Sequence, residues 1–287
     1  MMKTADVVII GGGISGCATA YFLAKKGMKN VLLIEKGYLA SGSTGRCGAG
    51  IRQQWGTELN CMISKHSCDF FETANEELEY DGDIEFKQGG YLLVTSTEKE
   101  HEQFIKNIEV QNRMGIHSKL LNLEEAKEIV PYLNTDGLIS AAFHQKDGHL
   151  NPFHTTQAFA DAAKRLGATI MTHTEVTGID VENGKIMGVR TNKGDVATSV
   201  VLNAAGGYSQ KIAQMAGVDL PVYSERHQIL VTEPIEEILG PMVMSFSLNI
   251  YCQQVPHGGI IMGRGDENEP RDLRTTSSWQ FLEEMAL

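Results

Sequence analysis

Val7–Gly16 reads V-V-I-I-G-G-G-I-S-G, four apolar residues running straight into a glycine-rich turn. An unbroken apolar run of this length fits a parallel strand covered on both faces. After the turn, Ile14, Ala18, Tyr21, Phe22 and Leu23 recur at helical spacing as far as Lys25-Lys26, where Gly27 stops the helix. Val31–Ile34 is a second buried strand, so about thirty residues make one βαβ unit. Gly11, Gly13 and Gly16 form G-x-G-x-x-G, and Glu35 follows nineteen residues beyond Gly16 at the end of the second strand. In that context the glycines permit a tight turn and bring backbone N–H groups, those of Ile14 and Ser15 included, onto a pyrophosphate at the helix N-terminus. Glu35 is the expected acceptor for ribose hydroxyls, with Lys36 beside it. An acidic residue there disfavours NADP, but the fingerprint alone does not separate FAD from NAD.

Working outward, Tyr38–Gly50 reads Y-L-A-S-G-S-T-G-R-C-G-A-G, and six of its thirteen residues are Gly or Ala. That is too many small residues for a packed element. It reads as a loop pressed against something flat, such as an isoalloxazine ring, and this favours FAD. Toward the N-terminus, Lys3, the apolar run and Cys17 have the outline of a lipoprotein signal, but Asp6 and three central glycines interrupt it.

The stretch Ser41–Trp55, S-G-S-T-G-R-C-G-A-G-I-R-Q-Q-W, together with the fingerprint, resembles the D-amino-acid-oxidase-like flavoprotein superfamily. Within it the chain is most similar to β subunits of sarcosine oxidase and dye-linked L-proline dehydrogenase. The resemblance implies a Rossmann-like FAD-binding domain and a second, substrate domain on a largely antiparallel sheet, α/β in class and α+β overall. It implies that Gly42, Ser43, Thr44 and Gly48 line the flavin, that Val176 meets the adenine, and that Ala205 and Gly206 in N-A-A-G run along the cofactor. Arg46 either stabilises negative charge near the ring or ties down its loop. Arg52, read alone, is an exposed or structural arginine; the resemblance implies that it binds the substrate carboxylate, a role its planar fork suits. His154 falls where some of these β subunits link a second flavin, though N-P-F-H-T-T departs from their pattern. These relatives usually continue past the end of this chain, which implies a C-terminally truncated substrate domain.

The rest of the chain supplies bounds. At 287 residues, 42% of them hydrophobic, two domains are the prior, and the resemblance divides them as 1–89 with 146–217 for FAD and 90–145 with 218–287 for substrate. A net charge of −11 with scattered basic residues disfavours nucleic acid, and no apolar run is long enough for a transmembrane segment. Five cysteines without a C-x-x-C pair give neither a disulfide framework nor a metal site, and fit a reducing cytoplasm. Helices are expected over Thr57–Leu78, Glu98–Met114, Asn122–Val130, Pro152–Leu166 and Ser277–Leu287. Strands are expected at Gly89–Thr95, Thr169–Thr174 and Val200–Gly207, with a hairpin turning at Asn183-Gly184. His227 and His257, in the β-rich region after Val222, are either structural or set the protonation state of an amine. The leading expectation is FAD-dependent oxidation of a small amine or imino acid, of the sarcosine, proline or hydroxyproline type. The alternatives are a catalytically silent FAD subunit docking a partner in a hetero-oligomer, or an oxidase of another small amino or hydroxy acid.

Overall fold

The computed structural model describes residues 3–286. Leu287, the last residue of the expected C-terminal helix, and Met1 and Met2, the first of the expected FAD domain, lie outside the described residues.

A four-stranded parallel sheet holds Val201–Asn203, Val7–Ile10, Val31–Ile34 and Thr169–Met171, in that spatial order. The alternation of side chains across a strand explains why V-V-I-I is apolar throughout. Val7, Ile9, Val31 and Leu33 face the helices Ile14–Lys25 and Pro152–Arg165, where Cys17, Ala20, Tyr21, Phe159 and Ala163 complete a core. Val8, Ile10, Leu32 and Ile34 face the other way, onto Val176, Ile179, Val189 and Val196. These last residues belong to a second small sheet, in which Lys3–Thr4, Val196–Ala197, Lys185–Thr191 and Val176–Glu182 lie side by side. Its hairpin turns at Asn183 (φ 51°) and Gly184 (φ 74°), two successive left-handed residues as a type I′ turn requires.

Seven strands make the largest sheet, ordered Ile229–Val231, Ile260–Arg264, Ile250–Gln254, Met242–Ser245, Tyr91–Thr95, Ser140–His144 and Lys119–Leu121. Every pair is antiparallel except Met242–Ser245 with Tyr91–Thr95, where two distant segments join. Leu92 and Val94 pack on one face with Ala126 and Val130, while Tyr91, Leu93, Met242 and Phe104 pack on the other. A two-stranded ribbon of Gly50–Ile51 and Gly148–His149 links the glycine-rich loop to the middle of the chain.

Several elements differ from the sequence reading. The expected helix Thr57–Leu78 is two helices, Glu58–Glu72 and Ala74–Glu77, broken at Thr73, which leaves the helical region at φ −121°. The strand expected over Val200–Gly207 stops at Asn203, and Gly206–Tyr208 turns into the helix Ser209–Met215. The strands Ser140–His144 and Lys119–Leu121 lack a strong β pattern; Tyr91–Thr95 supplies the ladder for Ser140–His144, which in turn supplies it for Lys119–Leu121. No helix among the described residues is long and apolar enough to cross a membrane.

A Cβ on Gly16 would collide with the carbonyl oxygen of Gly11, which is backbone and cannot rotate away. Gly16→Ala should therefore cost about 1–3 kcal/mol in denaturant unfolding. Gly42→Ala, with nothing within 4 Å of the added carbon, should stay within about 0.5 kcal/mol of the parent. Equal stabilities for the two variants would contradict this packing.

Candidate functional site

The helix Ile14–Lys25 begins at Gly13, whose backbone is extended (φ −78°, ψ −178°) and which supplies no side-chain cap. Two nearby donors are already committed. Gly12 N–H donates to Glu35 Oε2 at 2.7 Å, and Ile14 N–H donates to Thr44 Oγ1 at 3.2 Å. Among the described residues, the N–H groups of Gly13, Ser15 and Gly16 meet no protein acceptor. Three free donors at a helix N-terminus make an anion site, and the apposed Gly11 and Gly16 bring it close to the sheet edge.

Glu35 is buried and works as a clamp. Its Oε1 also accepts from Gly37 N–H at 2.7 Å and from Ser41 Oγ at 3.4 Å, so one carboxylate ties the glycine turn to the start of the small-residue loop. Lys36 lies over the Tyr208 ring at 3.3 Å from its centroid. Gly206 takes φ 54° beside open space, and Ala205 N–H donates to Asn203 Oδ1. Val176 is buried in its strand, with Glu175 N–H and Asn192 Oδ1 tying the strand's start to the hairpin's far end. Ser43, Thr44 and Arg46 form a single 3-10 turn capped by Gly42, and Arg46 is exposed without a carboxylate partner among the described residues. Gly48 offers its carbonyl to Gln253 Nε2 at 2.9 Å, which fastens the loop to the seven-stranded sheet.

Arg52 follows this loop directly. Its guanidinium lies over the Trp55 ring at 4.1 Å and near Phe246 at 5.5 Å, and Nη1 sits 3.2 Å from Met244 Sδ. The indole is folded back because Trp55 Nε1 donates to the Arg52 carbonyl at 2.8 Å. Arg52 Nε is enclosed and has no partner, and among the described residues no carboxylate forms an ion pair with this side chain. Burial pulls its pKa down, while Tyr91 and Asp147 push it back up, yet an arginine stays charged at neutral pH. A desolvated cation held by sulfur and two aromatic faces is under-compensated, and a planar anion is what it lacks.

Behind Arg52 lies a polar core. Asp147 is fully buried, with Oδ1 accepting from Gln53 N–H at 2.8 Å and Oδ2 from Gln54 Nε2 at 3.0 Å. Burial pushes its carboxyl up to about 7, against the pull of these hydrogen bonds and of Arg52. Gln54 Nε2 also donates to the Tyr91 carbonyl, and the Tyr91 hydroxyl fills the space where Gly50 lacks a side chain. Burial likewise pushes the Tyr91 phenol well above its ordinary value by desolvating the charged form, so it stays protonated.

The two histidines part company. His227 is exposed and stacks on Tyr251, with ring centroids 6.4 Å apart, and Tyr251 pairs across the sheet with Met244, the contact of Arg52. His257 lies on the exposed turn beyond the far end of the same strand and is not brought to Arg52. His154 Nδ1 is engaged with the Asp83 carbonyl at 2.7 Å. Met244, Tyr251 and Asp147 were not singled out in the sequence. Met244 and Asp147 take their places through contacts between segments far apart in the chain, and Tyr251 through its pairing with Met244, none of which a single sequence displays.

Comparison with known proteins gives the family of the chain and several similar structures. The family described as "FAD dependent oxidoreductase" matches residues 6–286. The chain is 34% identical over 269 residues to the sarcosine oxidase subunit beta of an Arthrobacter species, covering 92% of this chain and 66% of that protein. It is 30% identical to the sarcosine oxidase subunit beta of Rhodobacter capsulatus, covering 98% and 69%. It thus spans about two thirds of the length of these relatives. Among solved structures, L-proline dehydrogenase from P. horikoshii superposes with a TM-score of 0.93 at 41% identity, covering all of this chain and 76% of that one. Glycine oxidase from Bacillus cereus superposes at 0.83 with 26% identity, covering 98% and 76%.

Asp147 gives this site a pH signature. Its folded pKa of about 7 lies above the ordinary carboxylate value, so the folded chain holds the extra proton. Stability from this group is fully present below the unfolded value and is lost as pH rises toward the folded one. Asp147→Asn should therefore flatten the decline in unfolding free energy between about pH 4 and pH 7 that the parent shows. Parallel pH profiles for parent and variant would contradict the buried placement of this carboxyl.

Proposed function

The chain belongs to the FAD dependent oxidoreductase family, and from that premise we propose that it oxidises a small secondary amino acid, of the sarcosine, proline or hydroxyproline type. The observation that carries this reading is Arg52: a charged, partly desolvated fork directly after the small-residue loop, stacked on Trp55 and unmatched by any carboxylate among the described residues.

The residues present fit FAD. The free N–H groups of Gly13, Ser15 and Gly16 suit the pyrophosphate, Glu35 has the position for the adenosine ribose, and Val176 with Ala205 and Gly206 border the same edge. Gly42 and Gly206 face open space, and Gly42, Ser43, Thr44, Arg46 and Gly48 would line the ring. FAD, when bound, would supply the two-electron acceptor for a hydride from a carbon bonded to the substrate nitrogen.

The protein's part is placement and charge. Arg52 holds the carboxylate in two parallel hydrogen bonds, which orients the carbons bonded to the substrate nitrogen toward the loop. Met244, Phe246 and Trp55 cover part of the guanidinium, which lowers the local dielectric and strengthens that pair. Tyr251, whose phenol burial keeps protonated, offers a donor, and His227 stacked on it takes the ammonium proton so that the amine reacts with its lone pair free. Loss of hydride and proton leaves an imine, which water opens when it is acyclic. The relatives named as β subunits support a hetero-oligomeric assembly with a partner subunit.

Arg52→Ala should raise KM for sarcosine or L-proline by about 10- to 100-fold, the loss of a charged hydrogen-bonded pair worth roughly 1.5–3 kcal/mol. Steady-state kinetics on the FAD-loaded variant make the test, and an unchanged KM rejects the carboxylate role.

A further inference from the structure

Among the described residues Asp147 makes no hydrogen bond to the glycine-rich loop or to Arg52, yet separate segments meet on it. Its carboxylate accepts from the backbone N–H of Gln53, the residue after Arg52, at 2.8 Å, and from the side chain of Gln54 at 3.0 Å. Its own carbonyl accepts from Gly90 N–H at 2.8 Å, at the head of the strand Tyr91–Thr95. Gln54 passes the link to the Tyr91 carbonyl at 3.0 Å, and the Tyr91 hydroxyl occupies the space beside Gly50. The Asp147 carboxylate thus holds the segment bearing Arg52, and through its own carbonyl and the Gln54 amide this residue joins that segment to Tyr91–Thr95, an interior strand of the seven-stranded sheet.

A fully buried carboxylate is costly, and a structural core is served as well by apolar packing. Nothing about the sheet requires an acid here. What the acid provides is an anchor for consecutive residues Gln53 and Gln54, whose backbone direction sets where the Arg52 side chain starts. Gln53 and Gln54 are both buried, while Trp55 is exposed, and Trp55 N–H closes back onto the Gln53 carbonyl at 2.9 Å. The turn that folds the indole over the guanidinium is therefore built on the residue Asp147 holds. Arg52 Nε has no partner of its own, so the guanidinium owes its orientation to this turn and to Met244 rather than to a direct hydrogen-bonded support.

We propose that Asp147 is the positioning residue of the carboxylate-binding arginine: by holding Gln53 N–H and the Gln54 amide it fixes the Arg52–Trp55 turn in the geometry that receives a carboxylate. This rests on the reading of Arg52 given above. It assigns Asp147 no contact with substrate or cofactor.

Acetate is a probe that carries the carboxylate and undergoes no oxidation. Its binding to the FAD-loaded full chain is read from Trp55 emission in a Trp279→Phe background, which leaves Trp55 as the sole tryptophan of the two. At pH 8, Asp147→Ala should weaken acetate by about tenfold, the equivalent of one charged hydrogen bond. Asp147→Asn keeps one acceptor and should recover to within about threefold of the parent, a graded response that general loosening does not produce. If Asp147→Ala fails to fold, Gln54→Leu removes the side-chain link alone and should weaken acetate by about threefold or more. Arg52→Ala in the same background separates the two readings. Acetate affinity lost in Arg52→Ala but unchanged in folded Asp147→Ala and in Gln54→Leu overturns the positioning role. Affinity unchanged in Arg52→Ala overturns the carboxylate reading itself, and the positioning role with it.

Discussion

The backbone of Gly11 and Gly16 sits so close, to itself and to Ala204, that no side chain fits at either position. Everything at the cofactor end follows from that approach. It brings the N-terminus of the helix Ile14–Lys25 to the carboxyl edge of the parallel sheet and leaves three N–H donors there. It also places Gly12 where Glu35 can clamp it, and Glu35 in turn holds Gly37 and Ser41 at the start of the small-residue loop. A ligand's pyrophosphate and ribose thus meet groups fixed by the sheet rather than by flexible side chains.

At the other end of that loop the governing constraint is electrostatic. The chain leads from the glycines through Gly48 and Gly50 straight to Arg52, which is held against aromatic and sulfur surfaces with no carboxylate paired to it among the described residues. Opposite it, Asp147 is buried with a carboxyl pushed up to about 7. Both arrangements are expensive for folding alone, and such expense is concentrated at functional positions. The loop therefore couples two sites of different character: a neutral, backbone-lined cradle and a charged pocket against the seven-stranded sheet.

The cofactor half was legible in the sequence because its signals are local. V-V-I-I, G-x-G-x-x-G and Glu35 lie within one βαβ unit, and the Asn183-Gly184 turn names its own geometry. The substrate half was legible only in part. Arg52 and Trp55 stand in a recognisable string, but Met244 is brought to them by pairing with Tyr91–Thr95, well over a hundred residues earlier in the chain, and Tyr251 by pairing with Met244. Ser140–His144 and Lys119–Leu121 were missed for the same reason, since neither carries a β pattern strong enough to announce itself without its partner strand. His257 shows the converse: a histidine in the expected region whose place on an exposed turn only the fold reveals.

The most direct measurement is the anaerobic visible spectrum of the FAD-loaded chain on adding L-proline or sarcosine, compared with pyrrolidine, which keeps the secondary amine and lacks the carboxylate. The account predicts that at least one of the two amino acids bleaches the flavin and that pyrrolidine at the same concentration does so far more slowly. Bleaching by pyrrolidine at an equal rate would contradict the role of Arg52. A flavin that stays oxidised with both amino acids would contradict the proposed substrate class.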